Sequence, residues 1–187
     1  MTKAKWATFL TNLYVIFWEN NNIMDLSKIT KHDIFNLISK DWMLITAGDK
    51  EKFNTMTASW GGFGFIWNRP VAYIFIRDSR YTHEFMEKGD KVTLSFFSED
   101  YRNALKICGS QSGRDTDKVK NAGLTPKFLN NGAVTFAEAH TTVNCRKLFA
   151  STMEESQFVD KEIFDQWYVK AKGGLHTMYV VEILDVE

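Results

Sequence analysis

Cysteine and histidine are scarce in this sequence, and neither residue type is grouped in a way that would hold a metal ion. The two cysteines, Cys108 and Cys145, lie far apart without a C-x-x-C pair, and the four histidines are scattered. A disulfide scaffold and a Cys/His zinc site are therefore both disfavoured. Two buried, inert thiols in a reducing compartment explain the pattern, so we expect a cytoplasmic protein without a metal site.

An excess of charge of one sign is also missing, since 23 Lys and Arg residues balance 23 Asp and Glu residues. Nothing in this balance indicates a nucleic-acid or membrane partner. Apolar residues make up 44% of the 187 residues and aromatic residues 14%, which is enough for the packed core of a single domain. No internal repeat, linker or low-complexity segment marks a second domain.

The N-terminal stretch differs from the rest of the chain. Residues 6–18 are apolar and rich in aromatic residues, and two lysines precede them, as in a secretory signal. However, Asn12 interrupts this run, and Glu19 and three asparagines follow it instead of a small-residue cleavage site. The run is also too short to span a bilayer. We therefore predict that residues 1–23 are an appendage, either an upstream extension or a mobile arm, and that residues 24–187 form the domain.

Strands and short helices alternate along the remaining chain, with glycine-containing turns between them. Thr30 is expected to cap the first helix, and the strand 71–77 is apolar on both faces, which indicates a central position in a sheet. This pattern predicts an α+β chain built mainly from strands that form a closed or nearly closed barrel. The predicted helices are 27–40, 82–88, 99–108, a short one around 118, and 161–170; the predicted strands are 41–47, 53–59, 71–77, 91–97 and 176–186, with a bent or broken hairpin over 132–149.

Residues 53–84 carry the clearest functional pattern. Small and polar residues at a strand end lead into a predicted turn containing Gly61, Gly62 and Gly64, which lets a ligand approach the backbone closely. After the next strand, Arg77 and Arg80 offer guanidinium groups, which bind phosphate through paired hydrogen bonds.

Thr82 is expected to cap the helix that follows, and the free N–H groups of a helix start favour an anion. Taken singly, the two arginines fit a solvated turn, Thr82 fits a simple helix cap and the glycines fit a hairpin equally well. Their order favours a site for a ligand with an anionic end and a flat apolar end.

Three motifs in this order resemble the flavin reductase-like family of FMN-binding split β-barrel proteins, and within it the flavoredoxin-type members. The motifs are N-x-M-T-A-S-W at 54–60, R-x-S-R-Y-T at 77–82 and S-G-R-x-x-x-K-x-x-x-A-G-L at 112–124. The resemblance covers roughly residue 29 to the C-terminus. It implies a Greek-key split β-barrel with short peripheral helices, and a homodimer that binds FMN near the subunit interface.

The resemblance also assigns roles to individual residues. Lys118 reaches the flavin, where a positive charge would stabilise the anionic reduced ring, although without the family it would be taken for a solvated lysine on a polar helix. His176 is the candidate catalytic residue over the ring, with His140 as a rival. The other implied FMN-binding residues are Asn54, Thr55, Met56, Thr57, Ala58, Ser59 and Trp60 along the flavin, with a core or dimer-interface position as the alternative for Trp60, and Arg77, Arg80, Tyr81 and Thr82 at the phosphate.

Two functions fit this set of residues. The first is an NAD(P)H-dependent flavin reductase in which FMN accepts a hydride from NADH or NADPH and passes electrons on. The second is a flavoredoxin-type electron carrier that holds FMN tightly and exchanges electrons with a redox protein partner. The sequence contains no Rossmann-type G-x-G-x-x-G, which decides nothing here, because enzymes of this family bind nicotinamide over the flavin without such a fold.

Overall fold

The computed structural model describes residues 24–171 and 173–187; the prediction for residues 1–23 lies outside them. The main element is a seven-stranded antiparallel sheet with the strand order β2-β1-β5-β8-β9-β4-β3, and β6 and β7 form a separate small sheet. The strands are β1 Met43–Gly48, β2 Phe53–Ala58, β3 Gly61–Ile66, β4 Arg69–Arg77, β5 Lys91–Phe96, β6 Pro126–Phe128, β7 Val134–Phe136, β8 Thr141–Thr152 and β9 His176–Val186.

Short helices surround this sheet, as the sequence predicted. Two of them continue as a π-helical turn: Ile34–Asn36 into Leu37–Asp41, and Lys161–Phe164 into Asp165–Lys170. Within the described part of the chain, no helix is both long enough and apolar enough to cross a bilayer. The helices are α1 Ser27–Thr30, α2 Ile34–Asn36, α3 Tyr81–Lys88, α4 Arg102–Ser110, α5 Lys118–Asn121 and α6 Lys161–Phe164, with 3₁₀ turns over Glu99–Tyr101 and Glu155–Gln157.

One face of the large sheet curls around a single core. Ile45 of β1, Ile74 of β4 and Tyr179 of β9 are fully buried in the same apolar cluster, although β5 and β8 separate β1 from the paired strands β9 and β4 in the sheet. Met86 of α3 closes this cluster at one end. No strand pairing within 24–171 and 173–187 joins the two edge strands β2 and β3, so hydrogen bonds do not complete the predicted barrel.

A second, smaller core lies on the other face of β1. Leu44 packs there with Leu105 and Cys108 of α4 and with Phe136 of β7. This packing holds α4 against β2 and directs the connection from α4 to α5 towards the polar end of that strand. Cys108 and Cys145 are both free and buried, which confirms the prediction of inert thiols.

The predicted glycine-rich turn is wrong, because these glycines lie in strand β3. This edge strand pairs with β4 over six positions, from Gly61 opposite Ile74 to Ile66 opposite Arg69. A side chain at Gly64 would meet the ring of Tyr73 at 2.9 Å, so the missing side chain leaves room for this ring across the strand. The strand 71–77 predicted as central is paired on both sides, but it neighbours the edge of the sheet.

Two predicted helix caps are also wrong. Thr30 ends α1, while Asp33 caps α2 by accepting hydrogen bonds from the backbone N–H groups of the next turn. Thr82 lies inside the first turn of α3, which begins at Tyr81 after the extended residue Arg80. In both places a neighbouring residue has the extended backbone that a cap requires.

The predicted hairpin over 132–149 consists of two strands that belong to different sheets. Strand β7 pairs with β6, while β8 pairs with β5 and β9. Valine and threonine marked both segments as strands, but strand propensity carries no information on the pairing partner. The last strand, His176–Val186, has the predicted bounds.

Candidate functional site

A cavity of about 270 Å³ lies where β2 ends and β9 begins. Arg77, the last residue of β4, pairs directly with His176, the first residue of β9. Residues opposite each other in an antiparallel pair project to the same face, so the guanidinium group and the imidazole ring share one wall of the cavity. The lining residues are Met56, Thr57, Ala58, Ser59, Trp60, Phe75, Arg77, Arg80, Trp167, Ala171 and His176.

Eight of the predicted site residues line this cavity. Five predicted residues do not, and two of them, Asn54 and Lys118, line a neighbouring cavity of about 710 Å³. The remaining three are Thr55, Tyr81 and Thr82. The eight residues in the first cavity are Met56, Thr57, Ala58, Ser59, Trp60, Arg77, Arg80 and His176.

Thr55 and Tyr81 make contacts elsewhere. The hydroxyl of Thr55 is fully buried, donates to the carbonyl of Ile45 and accepts from the hydroxyl of Thr46. The ring of Tyr81 packs against Phe85 and lies under the guanidinium of Arg114, whose Cζ is 4.8 Å from the ring centroid. These contacts support the surrounding elements and reach neither cavity directly.

Arg80, which is partly buried, and Lys118, which is buried, form a positive cluster. The guanidinium of Arg80 donates a 2.8 Å hydrogen bond to the carbonyl of Gly109. The ammonium of Lys118, a residue only 4% exposed, donates to the carbonyls of Cys108 and Gln111 at 3.3 and 3.2 Å. Neither cation has a carboxylate within ion-pair distance in the described part of the chain.

The positive charges in this cluster repel one another. Burial lowers the pKa of Arg80, and the nearby Arg77 lowers it further. Burial also lowers the pKa of Lys118, to about 8, with repulsion from Arg80 as the next cause. Carbonyl oxygens satisfy the hydrogen bonds of these groups but do not neutralise their charge, so an anion would remove much of the cost.

Arg77 has a different environment from Arg80. Its guanidinium donates to the carbonyl of Trp167 at 3.0 Å and to that of Gly174 at 3.2 Å. Both acceptors belong to the segment between α6 and β9. Arg77 thus ties this segment to the end of β4 and has fewer free N–H groups to offer a ligand.

His176 lies among aromatic rings at the far side of the cavity. Its ring centroid is 5.3 Å from that of Trp60, and its Nδ1 is 3.0 Å from the hydroxyl of Tyr168. Burial lowers the pKa of His176 to about 4, and the positive charge of Arg77 contributes to this shift. The imidazole is therefore neutral at physiological pH.

His140, the rival histidine, lies elsewhere. Its Nδ1 is 3.0 Å from the hydroxyl of Thr141, and its ring centroid is 6.1 Å from that of His32. Neither of these histidines lines the cavity. Within 24–171 and 173–187, no group of three His, Cys, Asp or Glu side chains is placed to hold a metal ion.

The sequence interpretation missed Phe75, Trp167 and Ala171 as lining residues. Trp167 lies edge-on to Trp60, with the ring centroids 5.0 Å apart and the planes at 89°. The sequence places it only as an apolar residue of the predicted helix 161–170. The π-helical turn that redirects it into the cavity has no sequence signature, although the density of aromatic residues in 158–168 was a signal.

Known proteins resemble this chain in sequence and fold. Among solved structures, flavoredoxin of Desulfovibrio vulgaris (Miyazaki F) is 22% identical, with a TM-score of 0.60 over 78% of this chain and 68% of that chain. An FMN-binding protein from Thermus thermophilus is 19% identical, with a TM-score of 0.59 over 78% and 68%. The NADH:FAD oxidoreductase SgcE6 of Streptomyces globisporus C-1027 is 16% identical, with a TM-score of 0.57 over 79% and 74%.

At these identities the structural likeness shows the fold alone, and no curated protein matches the chain. The model of the flavin reductase like domain family matches residues 35–187, which is most of the sequence. This match confirms the resemblance that the three motifs indicated. The chain belongs to the flavin reductase like domain family.

Proposed function

We propose that this protein binds FMN and acts as an oxidoreductase that takes electrons from NADH or NADPH. The observation that carries this proposal is the pair of cations, the partly buried Arg80 and the buried Lys118, which lie beside the cavity without a carboxylate partner in the described part of the chain. A phosphate group is the ligand chemistry that such a pair favours. Family membership and the FMN-binding protein among the similar structures support the same ligand.

The cavity beside these cations suits the rest of the flavin. Ala58 and Ser59 are small, so the backbone at the end of β2 is accessible to the edge of a ring system. Trp60 and Phe75 supply flat apolar surface. We therefore propose that the segment 56–60 lies along the isoalloxazine and Arg80 binds the phosphate.

Lys118 has a separate role in this proposal. It is close enough to Arg80 for their charges to repel, and it also lines the neighbouring cavity. An ammonium in this position offsets negative charge on the ligand, whether on its phosphate or on its reduced ring. The five predicted residues outside the first cavity thus fall into two groups, with Asn54 and Lys118 near the ligand and Thr55, Tyr81 and Thr82 supporting the elements around it.

FMN, when bound, supplies the hydride and electron chemistry, and the protein supplies binding, orientation and charge. Trp60, Trp167 and Phe75 give the cavity an apolar wall. His176 is neutral and presents a hydrogen-bonding group without adding charge. No acid–base pair is required, because positioning of the two reactants contributes most of the rate in a direct hydride transfer.

We further propose that the protein is a homodimer, as the family resemblance implies. Strand β3 is an edge strand, and its neighbourhood carries exposed apolar side chains. Phe65 is 66% exposed and Trp67 is 54% exposed, and the ring of Trp67 lies 6.2 Å from that of Phe149. A second copy of this chain would cover this surface. Light scattering coupled to size-exclusion chromatography gives the mass of the protein in solution, and a monomer at micromolar concentration would refute this part of the proposal.

The alternative is an electron carrier that binds FMN and exchanges electrons with a redox protein. One observation favours it: Trp167 lies edge-on to Trp60 and occupies part of the wall where a nicotinamide would approach. A protein partner that receives electrons at the flavin edge needs no such space. The flavoredoxin among the similar structures is consistent with this alternative.

One experiment tests both functions. The absorbance spectrum of the purified protein, with the released flavin identified, shows whether FMN is bound. The oxidation of NADH and of NADPH is then followed at their own absorbance, with FMN supplied. FMN binding with turnover of either nucleotide supports the reductase, and FMN binding without turnover supports the carrier. A protein that binds no FMN refutes both.

A further inference from the structure

The π-helical turn over Asp165–Lys170 directs two consecutive aromatic residues towards the cavity. Trp167 meets Trp60, and Tyr168 meets His176 with the ring centroids 5.6 Å apart and the planes at 84°. The wider π turn, which often occurs at functional sites, allows both contacts.

This turn is anchored from both sides. The guanidinium of Arg77 donates to the carbonyl of Trp167 and lies over the face of Tyr168, with its Cζ 5.5 Å from the ring centroid. The rings of Phe158 and Phe164 pack against Tyr168 at 5.3 and 5.7 Å. The position of the Tyr168 hydroxyl is therefore set by these contacts on several sides of its ring.

The hydroxyl of Tyr168 has two possible acceptors for its single proton. Nδ1 of His176 is 3.0 Å away, and Sδ of Met153 is 3.4 Å away. A thioether is a weak acceptor and an unprotonated imidazole nitrogen is a strong one. If Nδ1 carried the proton, it would donate to the phenol oxygen and leave the phenol proton to the thioether, so the better arrangement is the one in which the phenol donates to an unprotonated Nδ1.

The neutral imidazole then carries its one proton on Nε2. In the described part of the chain, every fully buried side-chain nitrogen and oxygen has a hydrogen-bond partner, whereas Nε2 of His176 has none. Nε2 is accordingly accessible, and His176 lines the cavity. An N–H donor that faces a cavity without a protein acceptor is available to a ligand.

We propose that Tyr168 is a positioning residue that holds His176 as the Nε2–H tautomer, so that the imidazole donates a hydrogen bond to a carbonyl oxygen of the ligand in the cavity. The identity of that carbonyl rests on the proposed function: it belongs either to the flavin ring or to the carboxamide of the nicotinamide. The tautomer itself depends only on contacts within the chain. The two parts are therefore tested separately.

Nitrogen NMR of the protein labelled with ¹⁵N-histidine tests the tautomer. The pattern of couplings between ring protons and ring nitrogens distinguishes the two neutral tautomers, and the His176→Gln variant assigns the signals. We expect His176 to be protonated on Nε2 alone in the unmodified protein. In Tyr168→Phe, which keeps the ring and removes only the hydroxyl, we expect a mixture of both tautomers. An Nδ1–H signal in the unmodified protein, or an unchanged pattern in Tyr168→Phe, overturns the proposal.

Tyr101→Phe is the matched control. Tyr101 packs against Phe97 in the second core, and its hydroxyl makes no hydrogen bond in the part of the chain that the structure describes. This variant should leave the His176 pattern unchanged. A change of equal size in both variants would mean that the effect is general loosening of the fold, which also overturns the proposal.

Ligand binding tests the second part. Tyr168→Phe should weaken the interaction with the carbonyl acceptor by roughly two- to fivefold, because only part of the imidazole population then carries its proton on Nε2. The loss appears in the dissociation constant for FMN if the acceptor is on the flavin, or in KM for the nicotinamide nucleotide if it is on the carboxamide. If both constants stay unchanged, the donor role of His176 is refuted. If the protein binds no flavin and yet His176 is the Nε2–H tautomer, the proposed function fails while the positioning by Tyr168 stands.

Discussion

The side-chain amide of Asn54 donates a 2.7 Å hydrogen bond to the hydroxyl of Thr82 and thereby joins β2 to the first turn of α3. Thr82 is fully buried and Asn54 is nearly so. Because the amide and the hydroxyl satisfy each other away from water, the bond fixes the start of β2 relative to the turn that carries Arg80. The candidate site depends on this placement, because β2 and Arg80 both line its cavity.

Gly113 lies against the same amide and provides a test of it. A Cβ at Gly113 would come within 2.0 Å of Asn54 Oδ1, whereas a Cβ at Gly62 would meet nothing within 4 Å. We expect Gly113→Ala to displace Asn54 and to lower the free energy of unfolding by about 1–3 kcal/mol. Gly62→Ala should change it by less than about 0.5 kcal/mol. Urea denaturation measures both, and equal effects would show that Gly113 does not constrain the amide.

Arg80 should discriminate between flavins that differ only in the phosphate. We expect Arg80→Gln to weaken FMN binding by roughly 10- to 100-fold, the loss of a charged hydrogen-bonded contact, and to leave riboflavin binding nearly unchanged. Fluorescence titration of both flavins measures this difference. Arg102→Gln is the control, because Arg102 pairs with Glu99 and stacks on Trp42 away from the cavity. Equal losses for both flavins would contradict a phosphate contact.

The three motifs were sufficient to identify the family, and the pattern of apolar residues located most strands. What the sequence could not specify is which groups face one another. Thr82 was interpreted as a cap because threonine often occurs there, yet its partner is Asn54, 28 residues away. Local patterns carry no information on such a contact, which only the curled sheet brings about.

The same limit explains why the sequence alone predicted neither the burial of Lys118 nor the position of Trp167 in the cavity wall. A lysine on a short polar helix is normally solvated, and only the packing of α5 under the carbonyls of Cys108 and Gln111 buries this one. Trp167 was placed only as an apolar residue of the predicted helix 161–170, and the π turn directs it into the cavity. Burial and helix irregularity both arise from tertiary packing, so periodicity alone predicts neither.

Lys118 should make FMN affinity depend on pH. Its pKa is lowered to about 8 without a ligand, and a nearby anion raises that pKa. Binding therefore takes up a proton once the pH exceeds about 8, so FMN affinity should fall by up to about tenfold per pH unit above that point. Titrations between about pH 7 and pH 9 test this, since the phosphate is already a dianion there. Lys118→Met should bind FMN more weakly without this dependence, whereas Lys120→Met, on the same helix, should retain it.

Residues 1–23 should be dispensable for flavin binding if they are an appendage. A protein that begins at Met24 contains the whole family match, residues 35–187, and every proposed FMN contact. We expect the same FMN content per chain and the same dissociation constant within about a factor of two. Loss of flavin from the shortened protein would show that the N-terminal stretch contributes to the site.

His176 should lower stability in mild acid. Its folded-state pKa is about 4 and its ordinary value is 6.5, so the unfolded chain binds the proton first as the pH falls. The His176 contribution to stability is therefore fully present above about pH 6.5 and is lost progressively as the pH falls towards 4. Urea denaturation of the unmodified protein and of His176→Gln at several pH values isolates this effect, with the difference near neutral pH as the reference. We expect the variant to lose less stability between about pH 6.5 and pH 4. Parallel curves for the two proteins would mean that the imidazole takes up its proton as readily in the folded protein as in the unfolded chain, and the lowered pKa of His176 would be wrong.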